Sequence, residues 1–261
     1  MKVKAIFFDI DGTLVSFRTH RIPSSTREAL FQLKAKGVKT FVATGRPWKI
    51  IDNLEDCPFD GFITMNGSSC FTSDFKPIFQ RGIPRENIER LISSGLADRY
   101  VFEFASDHDM FITGVNERVT EINRLINLSL PRIAPIEEAL LNDYYEMMGY
   151  FTAEEGEEER VFDTVLTACQ PMRWHPLFTD IIVRGNSKSV AIDHVLAHYD
   201  IDLSKSMAFG DGGNDIPMLQ HAAIGVAMGN AEQKVKDVAD YITTGVDEDG
   251  VLLALKHFGV L

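Results

Sequence analysis

Short apolar segments alternate with amphipathic ones over the first quarter of the chain. The run from Val3 to Phe8 is almost continuously apolar, which predicts a strand covered on both faces. Leu30 and Leu33 lie at helical spacing before Gly37, so a helix is predicted to end near that glycine. Two further strands are predicted at 38–43 and at 62–65, and a helix is predicted between them from about Pro47. This order is typical of parallel strands joined by helical crossovers.

The same alternation returns from about residue 185 to the end of the chain. Its predicted strands are 206–209, 223–226 and 241–243, and its predicted helices are 187–198, 214–221, one from about 232 and one at the end. The two terminal parts of the chain therefore resemble two halves of one α/β domain.

The pattern between residues 82 and 184 is different, because several short strands follow one another closely. A helix at 85–94 precedes paired strands at 99–105 and 110–112, and two more strands follow at 172–175 and 178–183. Such spacing predicts an antiparallel sheet with helices on one face. We therefore predict an α/β fold in which residues 1–81 and 185–261 form a parallel-sheet core and residues 82–184 form an inserted α+β domain.

Aspartates directly follow two of the predicted core strands. Asp9 and Asp11 come after the first strand, and Asp211 and Asp215 come after the strand at 206–209. Because the carboxyl ends of parallel strands meet at one edge of a sheet, we expect these four side chains to lie close together. Their mutual repulsion would be offset by a divalent cation that prefers oxygen ligands, such as Mg²⁺. The alternative is that they are ordinary turn aspartates.

Groups that bind anions are predicted at the same edge. Thr44 offers a hydroxyl, and the amides of Gly45 and Arg46 follow it where a helix is predicted to begin. Lys188 lies in the first turn of its predicted helix, where a cation is unfavourable by about 0.3–1 kcal/mol. A residue that stands against such a local preference indicates a functional role. For each residue taken singly there is an alternative: Lys188 is an exposed lysine at a helix end, and Thr44 is an ordinary threonine at a strand end.

Composition and charge limit the possible partners. The formal net charge is −12 and the isoelectric point is about 5.0, so the surface repels nucleic acids and anionic membranes. A phosphorylated substrate would need local positive charge, which Lys188 and the amides after Thr44 would supply. No apolar stretch reaches the roughly 18–20 residues of a membrane span, and no signal peptide is recognisable. With three cysteines and no metal-like spacing, we predict a cytoplasmic protein.

Four motifs in order along the chain resemble those of the haloacid dehalogenase superfamily. They are DIDGT at 9–13, TGR at 44–46, Lys188 and GDGGND at 210–215. The stretches MNG at 65–67, GVAMGNA at 225–231 and DEDGV at 247–251 further resemble the Cof-type phosphatases. The resemblance covers the whole chain and implies a Rossmann-like core with a C2-type cap inserted after the third core strand.

The resemblance also implies roles for individual residues. Asp9 is similar to the nucleophile, and Asp11 to the general acid/base that also gives its backbone carbonyl to the metal. Asp9, Asp11, Asp211 and Asp215 correspond to the metal site, with Asp215 acting through water. Thr44, Gly45, Arg46, Lys188 and Asn214 correspond to the groups that bind phosphate or substrate. Arg46 and Asn66 are further candidates for contact with the leaving group.

These roles predict a magnesium-dependent phosphatase that hydrolyses a small phosphorylated metabolite through an aspartyl-phosphate at Asp9. In the family, dehalogenases and P-type ATPases lack an acid/base at the position of Asp11, so its presence here favours water as the phosphoryl acceptor. A sugar-phosphate mutase and a catalytically silent regulator that binds a phosphorylated ligand are the alternatives. The inserted domain, with its hairpin at 172–180, is the predicted specificity element. The sequence identifies neither the substrate nor the oligomeric state.

Overall fold

The computed structural model describes residues 2–126, 129–155 and 158–261, and it divides the chain into two compact units. The first unit contains the chain up to Arg46, Ile50–Gln80 and Ser187–Leu261. The second unit contains Pro47–Lys49 and Arg81–Asn186. Each unit has its own sheet and its own apolar core.

The strands are β1 (Ala5–Phe8), β2 (Lys39–Ala43), β3 (Gly61–Thr64), β4 (Ser69–Thr72), β5 (Pro77–Gln80), β6 (Phe102–Ala105), β7 (Met110–Ile112), β8 (Arg132–Ile133), β9 (Glu146–Gly149), β10 (Cys169–His175), β11 (Phe178–Val183), β12 (Ser206–Gly210), β13 (Gly225–Ala227) and β14 (Tyr241–Ile242). The helices are α1 (Ser24–Ala35), α2 (Arg85–Ser93), α3 (Leu96–Arg99), α4 (Glu117–Ile126), α5 (Glu158–Thr164), α6 (Lys188–His198), α7 (Ile216–His221), α8 (Gln233–Lys236) and α9 (Gly250–His257).

The sheet of the first unit has the strand order β14-β13-β12-β1-β2-β3-β4-β5. All pairs from β14 to β3 are parallel, which confirms the predicted α/β fold with a parallel-sheet core. After β1 the chain adds β2 to β5 on one side of the sheet, and after β12 it adds β13 and β14 on the other side. The boundary between β1 and β12 is therefore the switch point of the sheet, where ligands of such folds bind at the carboxyl ends of the strands.

Two features of the first unit differ from the sequence prediction. β4 and β5 add an antiparallel hairpin to the edge of the sheet, which the alternation of strands and helices did not predict. The helix predicted from Pro47 is wrong, because only a short 3₁₀ turn forms at Trp48–Ile50. The residues after it include Asp52, Asn53 and Pro58, which favour turns over a continuing helix.

Apolar side chains on β1, β2 and β3 pack against helices α6 and α7 on one face of this sheet. Phe7 and Phe41 stack with ring centroids 5.0 Å apart, and Ile192 and Leu219 from the helices belong to the same buried cluster. Each completely buried CH₂ group in such a core stabilises the fold by about 0.8 kcal/mol. This packing holds the start of α6 close to the ends of the central strands.

The second unit contains a sheet with the strand order β10-β11-β9-β6-β7-β8, antiparallel except for the pair β7–β8. β9 pairs with both β6 and β11, and it was not among the predicted strands. One apolar core joins this sheet to residues of α2 and α5, including Leu91 and Phe162. The side chain of Trp174, in the predicted specificity hairpin, lies outside the described part of the structure. No helix within the described ranges has the length and apolar character to cross a membrane.

Candidate active site

Three aspartates converge at the switch point of the first unit's sheet. Asp9 follows β1, Asp211 follows β12, and Asp215 lies at the start of α7. Each offers a carboxylate oxygen, and these atoms all lie within 4.8 Å of one another. Asp9 is 7% exposed and Asp215 is fully buried. Because β1 and β12 are parallel neighbours, residues 202 positions apart in the chain meet at one edge.

Lys188 supplies a buried positive charge to this cluster. Its ammonium Nζ donates to Asp9 Oδ1 at 2.7 Å and to Asp215 Oδ1 at 2.5 Å. Lys188 is the first residue of α6, and the hydroxyl of Ser187 caps the helix by accepting a bond from the Val190 N–H. At 1% exposure it is not the exposed helix-end lysine that the alternative interpretation required. Burial alone would lower the pKa of Lys188, but Asp215 and Asp9 outweigh burial and raise it.

The cluster carries more negative than positive charge. Burial, followed by repulsion from Asp215, raises the pKa of Asp9 well above its usual range, although Lys188 opposes this shift. Burial and Asp215 likewise raise the pKa of Asp211 to about 7, although a bond from Thr13 opposes this shift. A hard divalent cation would offset this repulsion, and carboxylate oxygens are the ligands that such a cation prefers. The three side chains therefore fit a divalent metal.

Hydrogen bonds hold the loop of Asp215 tightly. Asp215 Oδ2 accepts from the backbone N–H of Asp211 at 2.9 Å and from that of Gly212 at 2.8 Å. A side chain at position 210 would collide with Asp215, because its Cβ would lie 2.5 Å from the Asp215 Cβ. Gly210 therefore permits the turn that returns the Asp215 carboxylate to the end of β12.

The three-acid cluster does not include the carboxylate of Asp11, although the charge of Asp11 still raises the pKa of Asp9 and Asp211. The Arg46 guanidinium instead takes both of its oxygens, with Nε donating to Oδ2 at 2.7 Å and Nη2 donating to Oδ1 at 2.8 Å. Such a two-pronged bond is the geometry for which the planar guanidinium is suited. Arg46, predicted to bind phosphate, therefore has its side chain on Asp11.

The loops after β2, β3 and β12 meet around Gly45. Thr44 is buried, and its hydroxyl accepts from the Arg46 N–H at 3.1 Å. Asn214 Nδ2 donates to Asn66 Oδ1 at 3.1 Å, and a side chain at position 45 would place its Cβ only 3.2 Å from that oxygen. Gly45 therefore leaves room for the two amides beside Thr44.

The turn around Asn66 has an unusual backbone. Met65, Asn66 and Gly67 have φ values of 49°, 54° and 96°, all in the left-handed region. A side chain at position 67 would also collide with the carbonyl oxygen of Ser187, at 2.2 Å from its Cβ. Glycine at this position therefore lets the start of α6 approach the end of β3, and Lys188 follows directly. Such strained backbones are often found at functional sites.

Sequence reasoning missed two residues that contact Asp211. The hydroxyl of Thr13 donates to Asp211 Oδ1 at 2.9 Å, and Asn230 Nδ2 donates to Asp211 Oδ2 at 3.1 Å. Both lie inside stretches that carried the family resemblance, DIDGT and GVAMGNA. Their presence in those motifs was the signal that could have identified them.

Comparisons with known proteins agree with this geometry. A family model described as haloacid dehalogenase-like hydrolase matches residues 6–255. The chain belongs to this family. It is 31% identical over 271 aligned positions to YkrA of Bacillus subtilis, a provisionally assigned phosphatase, with both chains completely covered.

Solved structures of the haloacid dehalogenase superfamily share the fold over the full length. The phosphatase BT1666 from Bacteroides thetaiotaomicron has a TM-score of 0.92 and 35% identity, covering 100% of this chain and 96% of its own. The subclass IIB sugar phosphatase BT4131 has a TM-score of 0.87 and 43% identity, covering 99% of this chain and 100% of its own. The predicted superfamily and the predicted class, a phosphomonoester hydrolase, are confirmed.

Proposed function

We propose that this haloacid dehalogenase-type phosphatase is magnesium-dependent and hydrolyses a small phosphorylated metabolite, such as a sugar phosphate, through an aspartyl-phosphate at Asp9. The observation that carries the proposal is the buried Asp9 carboxylate, bound by Lys188 beside two more aspartates at the sheet's switch point. The similarity to the sugar phosphatase BT4131 supports the substrate class.

The metal would be held by the side chains of Asp9, Asp211 and Asp215, with the backbone carbonyl of Asp11 as a further ligand. When bound, magnesium supplies positive charge that offsets the repulsion between a phosphate dianion and the Asp9 carboxylate. Lys188 adds a second positive charge at the same carboxylate, 2.7 Å from Asp9 Oδ1. This charge arrangement lets an anionic nucleophile approach an anionic substrate.

Asp9 is the nucleophile in this mechanism. One of its carboxylate oxygens forms a bond to phosphorus while the ester bond to the leaving oxygen breaks, which leaves the phosphoryl group on Asp9. Lys188, the hydroxyl of Thr44 and the amides of Gly45 and Arg46 bind the phosphoryl oxygens. Asn214, bonded to Asn66 beside Gly45, orients the substrate. Water then attacks phosphorus and releases inorganic phosphate and the free Asp9 carboxylate.

Asp11 moves the protons in both steps. It donates a proton to the leaving oxygen in the first step and accepts one from the attacking water in the second. Because Arg46 bonds both oxygens of Asp11, the guanidinium must release at least one of them before Asp11 can act. We further propose that residues 82–184 act as the enzyme's cap and that it works in the cytoplasm.

The test is phosphate release from a panel of sugar phosphates with Mg²⁺. Asp9→Asn should lower turnover by roughly 10⁴-fold or more, because removing a covalent nucleophile leaves only binding effects. The matched control is Asp52→Asn, an exposed aspartate of the same unit, which should retain full activity. Mass spectrometry of acid-quenched wild-type enzyme should find phosphate on the peptide that contains Asp9.

Three other outcomes would contradict the proposal. Formation of an isomeric sugar phosphate without phosphate release would identify a mutase. Binding of the substrates without turnover would identify a regulator. Full activity in the presence of a chelator would exclude the metal.

A further inference from the structure

Asp211 is held differently from Asp9. Lys188 binds Asp9, whereas the Asp211 carboxylate accepts from two neutral groups: the Thr13 hydroxyl on Oδ1 and the Asn230 amide on Oδ2. Within the described residues no cation forms an ion pair with Asp211. A neutral donor fixes the direction of a carboxylate without cancelling its charge, so that charge stays available to a metal ion.

Asn230 is itself fixed from three sides. Its Nδ2 also donates to the carbonyl oxygen of Gly12 at 2.9 Å, and its Oδ1 accepts from the N–H of Val246 at 2.9 Å. One amide therefore joins the loop after β1, the aspartate after β12 and the segment after β14. These contacts use both the donor and the acceptor of the side chain.

The backbone beside Asn230 is also closely packed. Gly229 donates its N–H to the carbonyl oxygen of Thr244 at 3.0 Å. A side chain at position 229 would bring its Cβ within 2.7 Å of the Gly245 nitrogen. Gly229 therefore allows the loop of Asn230 to lie directly on the segment that leads to Val246. The motif GVAMGNA, whose Asn230 had no role in the proposed chemistry, contacts the segment Thr244–Val246 here.

We propose that Asn230 is a positioning residue that presents the Asp211 carboxylate to the metal, and that the segment Thr244–Val246 fixes Asn230 in place. The proposal rests on the proposed metal-dependent function. Its physical basis is that a carboxylate already held in one orientation loses less conformational freedom when it binds an ion. Loss of the amide should therefore weaken metal binding before it affects any chemical step.

The experiment is calorimetric titration of the full-length protein with Mg²⁺ alone, without substrate. Asn230→Leu, which keeps similar volume but cannot donate, should raise the Mg²⁺ Kd roughly 10- to 100-fold, the usual effect of losing a partner of a metal ligand. Gln233→Leu is the matched control, since it removes an exposed amide of the neighbouring helix α8 and should leave the Kd unchanged. Should Asn230→Leu fail to fold, Asn230→Ser is titrated in its place.

A second arm separates positioning from general support of the loop. In an Asp211→Asn background, Asn230→Leu should cause no further loss of Mg²⁺ affinity, because its effect passes through the Asp211 carboxylate. A Kd for Asn230→Leu within twofold of wild type would overturn the proposal. An undiminished loss in the Asp211→Asn background would overturn it as well. Failure of the wild-type protein to bind Mg²⁺ would instead overturn the proposed function.

Discussion

The two units bury carboxylates in opposite ways. In the first unit, Asp9 and Asp215 are 7% and 0% exposed, and both bond the ammonium of Lys188. In the second unit, Glu103 on β6 is 3% exposed, and its hydrogen-bond partner is the neutral hydroxyl of Tyr150 at 2.9 Å. The degree of burial is similar, but within the part of the chain that the structure describes only the first group has a cation at ion-pair distance.

The difference lies in which neighbours oppose the effect of burial on the pKa of each acid. Burial raises the pKa of Glu103 to about 7, although the bond from Tyr150 lowers it, and the charge of Asp180 raises it further. Near neutral pH Glu103 is therefore protonated in a large fraction of molecules. In the first unit burial also raises the pKa of Asp9, but Lys188 opposes that shift and places a positive charge beside the nucleophile. Phosphoryl transfer needs a charged nucleophile, and the lysine beside Asp9 favours that state.

The largest expected effect comes from removing the cation of the first unit. Lys188→Met should lower the free energy of unfolding of the metal-free protein by about 3–5 kcal/mol, because it leaves buried carboxylates without a counterion. Turnover should be lost as well. Urea unfolding in the presence of a chelator measures the first effect, and phosphate release measures the second.

Lys36→Met, an exposed lysine of the same unit, is the control and should leave stability unchanged within about 0.5 kcal/mol. A Lys188→Met protein as stable as wild type would mean that the two acids are neutral in the metal-free state.

The next effect comes from the second unit and depends on pH. Because the pKa of Glu103 rises from 4.5 in the unfolded chain to about 7 in the folded one, the folded state binds more protons between these values. The titration of Glu103 therefore lowers the free energy of unfolding as pH rises from about 4.5 to 7, by at most about 3 kcal/mol. Glu103→Gln does not titrate, so relative to wild type it should gain stability across this interval.

Urea unfolding at pH 5 and pH 8 measures this difference. Glu121→Gln on α4 is an exposed control that should follow the pH dependence of wild type. If the free energy of unfolding falls by the same amount for Glu103→Gln and wild type between the two pH values, Glu103 is charged in the folded protein. The contrast between the two units then disappears.

A smaller effect is expected for the pair that holds Asp11. Arg46→Lys keeps the charge but replaces the two-pronged bond with a single one. One oxygen of Asp11 must be released before it acts, so the remaining bond fixes its orientation, and a less well oriented Asp11 should lower kcat by roughly 10- to 100-fold. The loss should be larger for an alkyl phosphate than for p-nitrophenyl phosphate in the phosphorylation step, because a poor leaving group needs the proton from Asp11. Equal losses in single-turnover experiments with both substrates would indicate a role in binding phosphate instead.

The smallest effect is expected for an ion pair of similar length on the surface. Arg85 Nε lies 2.9 Å from Glu89 Oε1 on α2, with both side chains more than half exposed. Arg85→Ala should change the free energy of unfolding by at most about 0.5 kcal/mol, because water screens the pair and its ordering costs entropy. A loss comparable to that of Lys188→Met would show that burial is not what separates the two pairs.

Much of the site was predictable because its residues stand out locally. Asp9 and Asp211 directly follow apolar strands, and Lys188 lies where a helix disfavours a cation. Thr13 and Asn230 do not stand out, because a threonine and an asparagine in loops fit any turn. Their hydrogen bonds to Asp211 join positions up to 198 residues apart, and the spacing of apolar residues does not predict such long-range bonds. The pairing of Asp11 with Arg46 was equally invisible.

The amino-acid sequence by itself determined the alternation of buried strands and amphipathic helices, and with it the parallel sheet whose edge gathers Asp9, Asp211 and Asp215. Only the tertiary structure decided which charges meet: Lys188 binds Asp9 and Asp215, Arg46 binds Asp11, and Glu103 in the second unit has no cationic partner among the described residues. The physical reason is that hydrophobic burial follows a local period, which a sequence displays. Electrostatic partnership depends on distances of a few ångströms between segments that only the packed chain brings together.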